Sequence, residues 1–223
     1  MVLFPNLTQL DLTGPHEVFA RLPRTKVSLV AAALAPIRSE RGLTISPDAT
    51  FESAPALDII CVPGGPGVDA MMEDEVLLQF LRARAAGARY MTSVCTGALV
   101  LGAAGLLQGY RATTHWLSQD ILVLFGAEPV DERVVIDRNR ITGGGVTAGI
   151  DFGLTVAAHV FGPSVAQEIQ LLLEYDPAPP FHGSPKTAPS SVVQAVIAER
   201  DGAQSRRRAI AERAAARLGF AAR

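Results

Sequence analysis

A chain of 223 residues, 48% of them hydrophobic, can bury one substantial core and is near the upper size for a single domain, so one domain with a tail is expected. A formal net charge of −2 supplies no field to draw a polyanion, which argues against nucleic acid or an acidic membrane surface as a partner. The two cysteines, Cys61 and Cys95, each end an apolar segment and do not indicate a disulfide framework, no apolar run reaches the roughly 18 residues that span a bilayer, and Met1 to Asn6 lacks signal-peptide character, so the chain reads as cytoplasmic.

In chain order, Val2 to Phe4 is the first strand candidate. Asp11 follows within Thr8-Gln9-Leu10-Asp11-Leu12-Thr13-Gly14-Pro15, in a loop ahead of a helix over Gly14 to Leu22. Val27 to Ala33 and Ile59 to Val62 read as strands, the second running into Pro63-Gly64-Gly65. A helix over Glu75 to Ala86 leads to a strand over Tyr90 to Val94, and helical composition resumes over Thr96 to Ala104 and His115 to Phe125. Val134 to Ile136 and Arg140 to Thr142 are further strands, followed by Gly143-Gly144-Gly145 and a helix over Ala148 to Phe161. Several strands lack period-two alternation and need cover on both faces. This order predicts an α/β fold with a doubly wound, mostly parallel sheet and helices on both sides. Ligands of such sheets lie beyond the carboxyl ends of the strands, where Cys95, Asp11 and both glycine loops fall.

Beyond a helix over Val165 to Tyr175 the pattern changes. Asp176 to Pro189 holds five prolines and reads as an extended strap, and Ser190 to Arg223 is helical and basic, with seven arginines against three acids from Glu199 onward. The expected organisation is a catalytic domain over 1–175 and a strap with a helical arm over 176–223. The arm is read either as packing on a partner subunit or as a solvated surface helix.

Cys95 falls on the turn from strand to helix. Ser93 and Gly97, two positions to either side, are small enough for a sharp elbow, and the following helix aims its N–H groups and positive dipole end at the sulfur. Those features predict an accessible thiol with a lowered pKa; the other reading is a small buried apolar residue. Asp11 is either a partly desolvated carboxyl that carries a proton near neutral pH or a helix N-cap. Gly64-Gly65 either aims backbone N–H groups at a reacting atom or forms a flexible turn. His115 is conceivable as a base for Cys95, yet a histidine at a helix start beside Trp116 is more often structural. Neither glycine loop matches a nucleotide-binding spacing, and the remaining histidines form no metal-binding pattern, so neither a metal nor another cofactor is expected.

Leu3-Phe4-Pro5, the Thr8 to Pro15 segment, Val62-Pro63-Gly64-Gly65, Val94-Cys95-Thr96-Gly97-Ala98, Ala112-Thr113-Thr114-His115-Trp116 and Gly143 to Asp151 occur in the order found in the ThiJ/PfpI superfamily. Over about residues 1–175 the chain resembles that superfamily, with its class I glutamine-amidotransferase-like fold, and within it most resembles the isonitrile hydratases. The resemblance implies a flavodoxin-like homodimer whose C-terminal segment contributes to the dimer. It also implies Cys95 as nucleophile, Asp11 as its acidic partner and Thr96 beside the sulfur, with the N–H groups of Gly65 and Thr96 as oxyanion donors. The implied reaction hydrates an isonitrile to an N-substituted formamide through a thioimidate on Cys95. Many glyoxalases and proteases of the superfamily carry a histidine after the cysteine and a glutamate in place of Asp11, and this sequence does not. A glyoxalase-like enzyme is one alternative. The other is a ligand-sensing domain like those of AraC-type regulators, though this sequence leaves no room for their paired helix-turn-helix units.

Overall fold

The computed structural model describes residues 1–219. Its first residues lie in the middle of the sheet: Val2 bridges Val30 in parallel, and the Val2 N–H donates to the Cys61 carbonyl (2.9 Å). Only that bridge forms where a strand over Val2 to Phe4 is expected. Pro5 has no N–H to pair, and Asn6 turns the chain at φ 58°. Helix α1 (Gln9–Phe19) follows, with Gly14 and Pro15 inside it rather than at its start. Four two-residue strands come next: β1 (Val30–Ala31), β2 (Ile37–Arg38), β3 (Thr44–Ile45) and β4 (Ala49–Thr50). β1 is shorter than the expected Val27 to Ala33, since the Asp48 carboxylate takes the Leu29 N–H (2.7 Å) in place of a ladder partner.

The remaining elements are β5 (Ile59–Val62), α2 (Val68–Met71), α3 (Glu75–Ala85), β6 (Tyr90–Val94), α4 (Gly97–Ala103), β7 (Arg111–Ala112), a 3₁₀ helix (Trp116–Phe125), β8 (Glu128–Pro129), β9 (Val134–Asp137), β10 (Arg140–Gly143), α5 (Ala148–Phe161), α6 (Pro163–Leu172) and α7 (Ser190–Arg217). β5, β6 and β10 pair in parallel, and β9 closes the edge antiparallel to β10. β4 pairs with β1 in parallel, so the order across the sheet is β4, β1, the first residues, β5, β6, β10, β9. β7 and β8 form a separate parallel pair, and β2 and β3 a hairpin.

This is the flavodoxin-like α/β architecture, and burial explains it. All four residues of β10 are buried, as are Met91 to Val94 of β6, because helices cover both faces. α5 lies on β10 and β9 and carries α1; α4 lies on β5 and β6 beneath the 3₁₀ helix and α7. Every residue of α4 is buried, which matches a segment apolar all round. The register sets Val94 of β6 beside Gly143 of β10, so the two chains leave the sheet together at its carboxyl edge.

The arm does not simply hang in solvent. From Gln204 on, α7 packs against its own chain, with Ala211, Ala214 and Ala215 buried against the body. Arg207 pairs with Asp69 (2.6 Å), Arg208 pairs with Asp120, and Arg213 and Arg217 both reach Glu73 (3.0 and 3.4 Å). Most of the arm's positive excess is therefore matched by acids of the same chain. Its first turns and the strap remain exposed, and the expected arm over 220–223 lies outside the described residues.

Candidate active site

Cys95 sits between the end of β6 and the start of α4 with φ 55°, a left-handed conformation that costs a residue with a Cβ on the order of 1–3 kcal/mol. Three hydrogen bonds hold it there. Its N–H donates to the carbonyls of Gly143 (3.0 Å) and Gly144 (2.8 Å), and its own carbonyl accepts from the Thr114 hydroxyl (2.8 Å). Gly97 is obligatory in this turn, because a Cβ there would lie 2.1 Å from the Val62 carbonyl oxygen. The sequence motifs Thr113-Thr114-His115 and Gly143-Gly144 thus serve the cysteine through Thr114 and through backbone carbonyls, roles that side-chain chemistry alone did not suggest.

Asp11 is fully buried in the first turn of α1, not in a loop, and it is not the N-cap, which is Thr8. Its Oδ2 accepts from the Gly64 N–H (3.0 Å), and its buried Oδ1 has no hydrogen-bond partner among the described residues. Burial pushes the carboxyl up to about 7; the neighbouring Cys95 thiol and the Gly64 N–H act the other way.

The thiol departs from expectation. Cys95 is buried, and its pKa lies well above the ordinary thiol value, first because burial strips water from the thiolate and next because the Asp11 charge opposes it. The Thr96 N–H and hydroxyl lie against the sulfur and favour its anion, but less strongly. The lowered pKa and exposed sulfur expected from the helix N-terminus are therefore corrected: desolvation outweighs the dipole. At rest the pair is a thiol beside a carboxyl that titrates near neutrality.

The Gly65 N–H, expected to face an oxyanion, instead donates to Thr96 Oγ1 (3.0 Å), so it is already engaged. Close approach demands glycine at both positions: Gly65 has φ 123° and a Cβ on it would lie 2.3 Å from the Thr8 nitrogen, and Gly64 is pressed against the site itself. A Cβ on it would lie 2.6 Å from the Thr96 nitrogen and 2.7 Å from Asp11 Oδ2. The glycine pair lets the loop close on Asp11 and Thr96, which explains it better than a flexible turn.

His115 caps the 3₁₀ helix, its Nδ1 accepting from the Leu117 N–H (3.3 Å). Burial and the charges of Arg207 and Arg200 hold its pKa down to about 4, so it is neutral at neutral pH. Among the described residues no hydrogen bond joins it to Cys95. Cys61 is buried in β5, its thiol pushed up to about 11 by desolvation. No cluster of three or more His, Cys, Asp or Glu side chains suited to a metal ion occurs among the described residues.

A flavodoxin-like sheet that displays a cysteine on a strained turn, with a buried carboxyl from the first helix beside it, defines a class of cysteine-centred α/β proteins. The chain belongs to the DJ-1/PfpI family, whose model matches residues 1–159. It is 58% identical over 220 residues to the isonitrile hydratase of Pseudomonas putida, an alignment that covers 98% of this chain and 96% of that protein. An HTH-type transcriptional regulator of Pseudomonas aeruginosa is 36% identical over 139 residues, 60% of this chain and 37% of the regulator. The crystal structure of a ThiJ/PfpI family protein from Pseudomonas syringae superposes with a TM-score of 0.92 at 48% identity, covering 95% of this chain and 88% of that one.

Proposed function

We propose that the chain is an isonitrile hydratase in which Cys95 is the nucleophile, Asp11 the proton carrier and Thr96 the residue that steadies the sulfur. The observation that carries the reading is the buried Cys95–Asp11 pair, in a chain alike over nearly its whole length to a protein of that activity. The pair holds one proton more than the thiolate–carboxylate state needs. As sulfur bonds to the isonitrile carbon, Asp11 accepts the thiol proton and passes it to that carbon, giving an N-substituted thioimidate on Cys95. Water then adds to the same carbon with Asp11 as base, and the proton that Asp11 takes from it passes to the nitrogen. The carbon–sulfur bond breaks, the remaining hydroxyl proton goes to sulfur as the carbonyl forms, and an N-substituted formamide leaves. Thiol, carboxyl and water balance every step.

A carboxyl that titrates near 7 suits both donation and acceptance close to neutral pH. Against a sensing role, the match to the regulator spans 60% of this chain while the match to the hydratase spans 98%. We also infer a homodimer formed through the strap and the first turns of α7. A cavity of about 570 Å³ there is lined by Trp116, Phe181, Pro185, Pro189, Val192 and Val196, with Phe181 82% exposed. The two free cysteines fit a reducing cytoplasm.

Incubation with an aryl isonitrile and detection of the formamide by NMR tests the reading. The parent and Cys61→Ala are expected to form it, and Cys95→Ala to fall to the uncatalysed background. A parent that yields no formamide, or a Cys95→Ala variant that still turns over, overturns the assignment. Lactate formed from methylglyoxal at a comparable rate would favour a glyoxalase-like enzyme.

A further inference from the structure

Thr8 is the N-cap of α1, and a threonine there usually spends its oxygen on the N–H of the first turn, a bond worth on the order of 1 kcal/mol. Here no such side-chain bond forms. The Thr8 hydroxyl turns away and donates to Glu40 Oε1 at 2.6 Å. Only the Thr8 carbonyl serves the helix, accepting from the Asp11 N–H at 3.1 Å.

Glu40 is half-buried in the turn between β2 and β3, and that turn is fastened to the segment entering α1 at three points. The Asn6 N–H donates to the Arg38 carbonyl (2.9 Å), the Glu40 N–H donates to the Leu7 carbonyl (3.0 Å), and the Glu40 side chain takes the Thr8 hydroxyl. Thr8 in turn is built into the site. Its N–H donates to the Gly64 carbonyl (2.9 Å), while the Gly64 N–H donates to Asp11 (3.0 Å). Thr8, Gly64 and Asp11 therefore form a closed ring of hydrogen bonds, and Glu40 grips it from outside.

We propose that Glu40 is a positioning residue of this site: it fixes the ring that carries Asp11 and sets its negative charge behind that ring. The proposal rests on the reading that the Cys95–Asp11 pair exchanges a proton during turnover. The titratable neighbours of Asp11 among the described residues are Cys95 on the turn after β6, Cys61 on β5 and Glu40. Of these only Glu40 brings a carboxylate, and its charge raises the Asp11 pKa in the same sense as burial does.

The two roles separate by substitution. Glu40→Gln keeps an acceptor for Thr8 at the same reach and removes the charge, whereas Glu40→Asp keeps the charge. The reactive form of the pair has lost one proton, so kcat/KM rises with pH as the Asp11 carboxyl ionises. In Glu40→Gln that rise is expected roughly half a pH unit lower, the shift of a like charge removed from a partly solvated neighbour. In Glu40→Asp it stays near the parent position. A titration of ¹³C-labelled aspartate by NMR, with Asp11 assigned by its loss in Asp11→Asn, follows the same proton without any substrate. It is expected to move in step. An Asp11 titration unchanged in Glu40→Gln, or displaced equally in Glu40→Asp, overturns the proposal. If the NMR titration moves but the parent hydrates no isonitrile, the role of Glu40 stands and the assigned reaction falls.

Discussion

Ionising Asp11 puts a charge where, among the described residues, Gly64 supplies a single hydrogen bond to Oδ2 and Oδ1 finds none. The folded carboxyl titrates near 7 against an ordinary 3.8, so between those values the native state holds a proton that the unfolded chain has released. Stability therefore falls as pH rises through this window, and the full cost, on the order of a few kcal/mol, is present above it. Asp11→Asn removes that cost. Its Tm is expected to exceed the parent's by more at pH 8 than at pH 5, and a pH-independent difference would mean that the carboxyl ionises freely. The same variant is expected to lose about 10²-fold in isonitrile hydration, the usual deficit of a missing general acid–base group. Cys95 and Asp11 were legible because their motifs surround them within a few residues. The burial that reverses the expected thiol pKa was not, since it arises only once distant segments meet at the cysteine, among them Thr114 and the loop at Gly143 and Gly144, which hold its backbone.

Helices and strands were legible in proportion to their length. β5, β6 and α5 fall where their apolar runs fall, but β2, β3, β4, β7 and β8 have two residues each, too few to carry a period, and exist through distant partners. α1 starts ahead of Gly14 because the first turn is held by its buried Asp11 and Leu12, so Gly14-Pro15 is not the boundary its composition suggests. In α7 the arginines were visible and their partners were not. Arg207 is buried against Asp69, a residue with little exposure of its own. Arg207→Ala leaves that carboxylate unmatched and is expected to cost about 2–3 kcal/mol, below the ~3–5 kcal/mol of a fully buried pair because Asp69 keeps some water. Urea unfolding measures it. An unchanged midpoint would mean that the alanine face of α7 holds the helix without the ion pair.

At the scale of the molecule, the doubly wound sheet and the convergence of the glycine loops on one edge follow from the order of strands and helices, which the sequence carries. How the strap is covered does not, because an exposed apolar surface has no period that names its partner. Sedimentation equilibrium is expected to give twice the chain mass, and Phe181→Glu to weaken the association at least tenfold by setting a charge in the apolar contact. A monomeric parent, or a variant that assembles as the parent does, would rule the strap out as the interface.

The central position of the first residues also bears on how the chain is made. In chain order β1 and β4 lie in turn on one side of Val2, and β5 then β6 on the other, so each of these strands adds at an edge of the sheet formed by those before it. β9 and β10 are consecutive and antiparallel, so they can arrive as one hairpin, and no strand has to be threaded into a finished sheet. Among these elements α7 comes latest in chain order, and its arginines reach back to Asp69 and Glu73 across more than half the chain. Until that helix docks, the part of α4 that it covers lacks its partner, and the apolar surface left there is open to misassociation.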